Sequence, residues 1–354
     1  MTPWDGAAFR ERLQKALDEF LDEMGERLAP LGPDAVLLLE EARRCVSGGK
    51  RFRAAFCWWG YRAISPDVHD EDALFRACAA LEVLHASALV HDDYMDASDT
   101  RRGRPATHRA FATAHRAQAW RGDPEQYGAS AAILLGDLLL TWSDELLRRC
   151  GLPADRVVAA LAAFDHTRSE VITGQFLDVS VQARGRADVE AAMTVLRYKS
   201  AKYSIERPLH IGASLAGAGP AQLAELTAFG LPLGEAFQLR DDLLGVFGDP
   251  STTGKPAGDD LAEGKRTVLV ALALDTAPAT EAARLDAALG TSLTESDVAE
   301  LRRIIDGSGA HAQVEQVIGE LAATATSALA EADMDARARG VLLELATAAT
   351  DRAV

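Results

Sequence analysis

Four cysteines in 354 residues are too few for a disulfide framework. Cys45, Cys57, Cys78 and Cys150 also lack the close pairing of a metal site. Cys57 and Cys78 stand in apolar helical context and read as buried, reduced thiols, which fits a cytoplasmic compartment. Positive charge is scarce too: 37 Lys and Arg face 53 Asp and Glu, a net charge of −16. That balance argues against nucleic acid or an anionic membrane surface as partner. No apolar run approaches membrane-spanning length, and no basic segment followed by an apolar one opens the chain, so a soluble protein without membrane insertion is expected. Alternating strand patterns of useful length are missing as well. Ala, Leu, Glu and Arg at helical spacing dominate instead. The fold class that follows is all-α: a single large helical bundle with a central cavity, spanning residues 1–354, since no change of composition marks a boundary.

The spacing predicts helices over 7–29, 34–47, from Lys50 to the break at Pro66, 71–96, 107–118, 129–149, 155–183 and 188–216. A further helix follows Pro220, and Ala-rich helix fills 267–352 with a capping box from Thr294 to Asp297. Residues 101–105 read as loop, 120–128 as a longer mobile connection, and 248–264 as a lid-like loop rich in Gly, Pro and Thr.

Against this background a few charged clusters stand out. Asp92, Asp93 and Asp96 end the apolar run 84–91. Asp92 and Asp96 share one helix face, where like charges repel unless a cation is received. Carboxylates are the ligands a hard Mg²⁺ ion accepts, with waters and phosphate oxygens completing its shell. Arg101, Arg102 and Arg104 follow at once, and guanidinium groups suit bidentate phosphate contact. A second pair, Asp241-Asp242, lies inside another apolar helix behind Gln238, with Lys255 and Lys265 in the Gly-rich segment beyond. Two such clusters can serve one metal–diphosphate group if their helices face each other across a cavity, as bundles allow. Gly48-Gly49-Lys50 and Arg53 place further cations at the start of a helix, where an anion is already favoured. Lys199 and Lys202 interrupt apolar helix and imply an anionic partner. Gln175 and Asp178 share a face three residues apart.

These blocks, in this order, resemble the trans-isoprenyl diphosphate synthases (the polyprenyl synthetase family), and in particular their actinobacterial geranylgeranyl diphosphate synthases. The resemblance covers about residues 48–267. It implies a Mg²⁺-dependent prenyltransferase that joins isopentenyl diphosphate to an allylic diphosphate, working as a homodimer, and the apolar run 129–140 is a candidate for part of the interface. Residue by residue it makes Asp92, Asp96 and Asp241 the metal ligands, supported by Asp93 and Asp242. Arg101, Lys199, Lys255 and Lys265 would hold the allylic diphosphate. Lys50, Arg53, His85 and Arg102 would hold isopentenyl diphosphate. Ser200 and Gln238 would orient the allylic substrate. The chain departs from the pattern at Gly245, where many members carry a third Asp, and at Ser200, which replaces a common Thr.

Small side chains at Ser87 and Ala88, one turn before Asp92, leave open the tunnel that bulky aromatics close in short-chain relatives. Leu84 or Leu81 would then form its floor. A C20 product, geranylgeranyl diphosphate, is expected, with farnesyl or longer chains as the alternatives. A class I terpene cyclase, a silent partner subunit and a helical scaffold fit less well. The first would carry Asn/Asp, Ser and Glu in its second motif, the second would have lost acids or lysines, and the third leaves the basic clusters without a purpose.

Overall fold

The computed structural model describes residues 4–185, 188–248 and 258–350. It divides into two compact units, Met1–Trp58 with Asp67–Leu161, and Trp59–Pro66 with Ala162–Val354. The first holds α1 (Gly6–Leu28), α2 (Pro33–Cys45), the start of α3 (Phe52–Ile64), α4 (Glu71–Met95), α5 (Thr107–Ala117), α6 (Pro124–Arg148) and the start of α7 (Ala154–Arg184). The second holds the rest of α3 and α7, then α8 (Val189–Val195), a π-helix (Leu196–Glu206), α9 (Arg207–Ala216) and α10 (Pro220–Phe247). It continues through α11 (Asp259–Ala262), α12 (Val268–Thr276), α13 (Ala279–Ala288), α14 (Glu295–Gly307), α15 (Ala310–Glu331) and α16 (Ala336–Thr350).

Local sequence sets where these helices begin. Asp5, Asp70 and Asp188 each accept backbone N–H groups of a first turn, at 2.9, 2.8 and 2.7 Å for the nearest, which satisfies donors that would otherwise lack a partner. Thr294 and Asp297 form the expected capping box. Asp123 and Pro124 start α6 four residues before the last glycine of the expected 120–128 connection, so that connection is shorter than its Gly and Pro content suggests. Residues 188–216 are not one α-helix either. The chain widens to a π-helix over Leu196–Glu206 before α9 resumes with Pro208 in its first turn. Residues 101–105, read as loop, lie in a short antiparallel ribbon that pairs Thr100 (β1) with Pro105 (β2) and Arg101 with Arg104.

In the first unit α4 packs along α6, and an aromatic group of Phe9, Trp58 and Phe75 closes one end, with Trp58 and Phe75 centroids 4.5 Å apart. The 25-residue α4 is, contrary to the sequence reading, long and apolar enough to cross a membrane, but 78% of its most apolar window is buried inside the protein. It is a core helix. In the second unit α10 lies against the π-helix and α15. Glycines make the first of these contacts possible: a Cβ on Gly234 would stand 2.4 Å from the carbonyl oxygen of Ala201. Around Leu239, Leu243, Leu269 and Leu301 this unit buries a continuous apolar core, each such side chain contributing roughly 1.5–3 kcal/mol.

Candidate active site

In the first unit α4 delivers its carboxylates as it leaves the core. The helix ends with Asp96 N–H bonded to the Asp92 carbonyl at 2.8 Å, so the two side chains stand one turn apart. Asp93 points the other way. It is buried, and its Oδ1 accepts from Arg101 Nε at 2.8 Å and from Arg101 Nη2. Arg101 sits on β1, and the turn that follows places Arg102 and Gly103 at positive φ. From there Arg102 reaches the Ser47 carbonyl at 2.7 Å and covers Gly49, where a Cβ would lie 2.9 Å from Nη2. The ribbon is thereby tied to the Gly48-Gly49-Lys50 turn.

That turn rests on a buried ion pair. Arg51 donates to Glu82 of α4 at 2.8 Å and to Gln14 of α1 at 2.7 Å, and the other Glu82 oxygen accepts from Ala54 N–H at 3.3 Å. His85 follows Glu82 by three residues. Burial, then the nearby charges of Arg53, Arg102, Arg101 and Arg51, push its imidazole well below the usual range and keep it neutral. Burial and Arg51 also draw the Arg102 guanidinium down. The structure thus brings Arg53, His85, Arg101 and Arg102 together, with Lys50 exposed on the adjoining turn. Such a gathering of like charge is relieved by an anion.

Higher up α4, Leu84 is buried and Ala88 half-buried. Ser87 is only 2% exposed, and its hydroxyl donates to the Gly136 carbonyl of α6 at 2.7 Å. The His91 ring lies directly over Gly136, where a Cβ would meet Nε2 at 2.1 Å.

In the second unit the π-helix carries Lys199, Ser200 and Lys202. Lys199 Nζ bonds Asp178 of α7 at 2.5 Å, and Gly174 lets the two backbones touch: a Cβ there would stand 2.4 Å from Lys199 N. Lys202 bonds Glu170 at 2.9 Å, and Arg207 grips the same carboxylate with two bonds of 2.7 Å. Behind them Arg207 and Thr227 enclose the His210 ring at 3.2 and 2.9 Å. Burial, with Arg207 next, lowers its pKa to about 4.

On α10 Asp241 is exposed and Asp242 buried, with Gln238 Nε2 donating to Asp242 at 2.8 Å. Burial, and then the charges of Asp260 and Asp241, raise the Asp242 carboxyl well above the usual range. Asp260 of α11 accepts from Lys265 Nζ at 3.2 Å, and Lys265 also meets Glu263 at 2.5 Å. Lys255 lies outside the described residues.

The donors suit Mg²⁺. All are carboxylates, and the crowding that lifts Asp242 is what a divalent cation removes. No group of three or more such side chains closes into a cage among the described residues, and Mg²⁺ commonly takes only one or two carboxylates from the protein. Sequence reasoning gave no role to Glu82, Glu170 or Asp260. Acids inside long helices, or just past a Gly-rich stretch, give no pattern that names their partner.

Carboxylates on α4 and α10 and the cations gathered in the first unit are groups of the kind that bind metal-bound diphosphates. The polyprenyl synthetase family profile matches residues 36–306. The chain is 32% identical over 293 residues to the short chain isoprenyl diphosphate synthase of Methanothermobacter thermautotrophicus, covering 82% of this chain and 83% of that one. It is 34% identical over 289 residues to the geranylgeranyl diphosphate synthase of Mycobacterium tuberculosis, covering 81% and 76%. Among solved structures, the geranylgeranyl pyrophosphate synthase of Corynebacterium glutamicum, complexed with isoprenyl diphosphate and magnesium, superposes with a TM-score of 0.96 at 41% identity. The match covers 99% of this chain and all of the other. The chain belongs to the polyprenyl synthetase family and is a prenyltransferase.

Proposed function

We propose that this enzyme condenses isopentenyl diphosphate with allylic diphosphates, in a Mg²⁺-dependent reaction, to give geranylgeranyl diphosphate. The observation that carries the reading is the gathering of Arg53, His85, Arg101 and Arg102 beside the carboxylate end of α4. The allylic C–O bond breaks and its electron pair leaves with the diphosphate. The double bond of isopentenyl diphosphate then attacks the allylic carbon, and loss of a proton restores a double bond.

Arg101, Lys199 and Lys265, with Lys255, stabilise the charge that grows on the departing diphosphate. Asp93 and Asp178 keep Arg101 and Lys199 in place. Lys50, Arg53, His85 and Arg102 hold isopentenyl diphosphate, with His85 as a neutral hydrogen-bonding group rather than a fixed charge. Ser200 and Gln238 orient the allylic substrate, and Gln238 also holds Asp242. Asp92, Asp96 and Asp241 hold the metal, with Asp93 and Asp242 in support. When bound, Mg²⁺ supplies the Lewis acidity that makes diphosphate a better leaving group.

The C20 length rests on the small side chain of Ala88, half-buried on α4, and on the geranylgeranyl synthases among the relatives. A homodimer is the working form. Ile133 and Leu134, 45% and 60% exposed within the run 129–140, leave apolar surface for a second copy. The cytoplasm is its compartment, in keeping with its free cysteines. Labelled isopentenyl diphosphate supplied with dimethylallyl, geranyl or farnesyl diphosphate and Mg²⁺ should yield C20 product on chromatography. No product from any starter would overturn the activity, and C15 or longer chains would overturn the length. Sedimentation at micromolar concentration showing only monomer would remove the dimer.

A further inference from the structure

One face of α7 meets the π-helix at three successive turns. Glu170, Gly174 and Asp178 stand four apart on it. Asp178 bonds Lys199 Nζ at 2.5 Å, and Gly174 admits the Lys199 backbone. Glu170 meets neither. Its Oε1 accepts from Lys202 Nζ at 2.9 Å and from Arg207 Nη2 at 2.7 Å, and its Oε2 from Arg207 Nε at 2.7 Å. Burial raises its pKa, but the bonds from Arg207 and Lys202 outweigh burial and hold the carboxyl below its usual range.

Lys202 and Arg207 are five residues apart. Around an α-helix such a pair is separated by about 140° and lies on different faces. Here the Arg207 N–H donates to the Lys202 carbonyl, the five-residue bond of a π-turn, which brings the two to one side. Glu170 therefore closes over the pair that the π-turn joins. A simple counter-ion would need no such spacing. Were this turn to tighten to α, the chain ahead of it would rotate by about 100° and shift by about 1.5 Å against α9. α9 itself is fixed against α3, where a Cβ on Gly60 would stand 2.4 Å from the Leu209 carbonyl oxygen. Lys199 would turn away from Asp178.

Resting on the reading of Lys199 as a ligand of the allylic diphosphate, we propose that Glu170 is a positioning residue: it keeps the chain in the π-register between Lys202 and Arg207 and so aims Lys199.

A double-mutant cycle on the full chain, followed by isopentenyl incorporation, tests this. Glu170→Gln keeps the shape, loses the charge and should lower kcat about 10–100-fold. KM for isopentenyl diphosphate, which groups of the first unit hold, should stay as in the parent. On a Lys199→Ala background the same change should have little further effect, because Glu170 acts through that lysine. Equal losses in both backgrounds would mean that Glu170 acts without Lys199, which overturns the proposal. Lys202→Met keeps the Glu170–Arg207 pair and takes the place of Glu170→Gln in the cycle if that variant does not fold. Amide hydrogen exchange gives a readout without turnover. Exchange at the Arg207 N–H should quicken in either variant, and unchanged exchange there also overturns the proposal. If Lys199→Ala turns over like the parent while that exchange quickens, the reading of Lys199 falls and the hold of Glu170 on the π-turn stands.

Discussion

The two acidic clusters are alike in sequence and built differently in the structure. α4 carries Asp92 and Asp96 itself, turns Asp93 inward, and receives Arg101 from the ribbon as a hydrogen-bonded countercharge at 2.8 Å. α10 carries only Asp241 and Asp242, and α11 brings Asp260 and Lys265 to it. In the first cluster the buried acid has a guanidinium against it. In the second it has Gln238, and its proton affinity rises. A buried carboxylate thus finds its partner in two ways: a guanidinium brought by a neighbouring ribbon, or an amide on its own helix with Lys265 at longer range.

The comparison is broken most directly at its leading acids. Asp92→Asn and Asp241→Asn each remove one anionic oxygen at constant shape. Loss of one transition-state stabiliser commonly lowers rate ~10²–10³-fold, and both variants should show that loss in an isopentenyl incorporation assay with unchanged circular dichroism. Parent-like turnover in either would remove that helix from the site.

A smaller effect, on stability, separates the two units by burial. Arg51 and Glu82 are both only 5% exposed at the side chain, whereas Lys199 and Asp178 are 21% and 12% exposed. Arg51→Ala leaves Glu82 charged and buried and should cost about 3–5 kcal/mol in urea unfolding. Lys199→Ala should cost only about 1 kcal/mol while still lowering turnover. A loss of only about 1 kcal/mol in Arg51→Ala would show that the Gly48-Gly49-Lys50 turn does not depend on Arg51.

Much of this was legible in the chain. The acidic and basic blocks, the helices that carry them and the capping box at Thr294 follow from local spacing, and local spacing is what sequence records best. Asp260 was not legible, because its partner at Gly245 is recognised only through the volume a glycine leaves open. The π-helix was not legible either. Apolar positions around Lys199 fit an ordinary helix, and the widening follows from close packing on Gly174 and Gly234, far apart in sequence. The membrane-length apolar run in α4 escaped notice because its apolar positions are interrupted by polar residues such as Glu82, which meets Arg51 inside the unit, and His85, which burial keeps neutral.

Each unit also holds a neutral histidine, His85 in the first and His210 in the second, and pH sharpens that likeness. The folded pKa of His210 is about 4, below its ordinary 6.5. As pH falls the unfolded chain takes up the proton first, so this group costs nothing above about pH 6.5 and removes stability down to about pH 4. The total is at most roughly 3–4 kcal/mol. His85 acts in the same direction. Urea midpoints measured from pH 7 to 4 should fall, and His210→Gln should flatten part of the fall. It removes the titrating ring from the pocket of Arg207, Lys202, Glu170 and Thr227. An unchanged slope would mean that His210 is protonated in the folded protein.

The smallest expected change in rate, and the most informative about product, concerns two neighbours on α4. Ser87 is enclosed between α4 and α6 and bonded to the Gly136 carbonyl, while Ala88 is only half-buried. Phe at position 87 has no room without parting the two helices, and overpacking of that kind costs roughly 1–3 kcal/mol. Phe at position 88 has a partly open side to turn into. Ala88→Phe should therefore fold like the parent, keep most of its isopentenyl incorporation, and shift product from C20 toward farnesyl diphosphate. Ser87→Phe should shift product only together with a lowered melting temperature. If Ala88→Phe stays active and still makes C20, the growing chain does not pass this face of α4. The C20 expectation would then have to rest on side chains other than the small pair before Asp92.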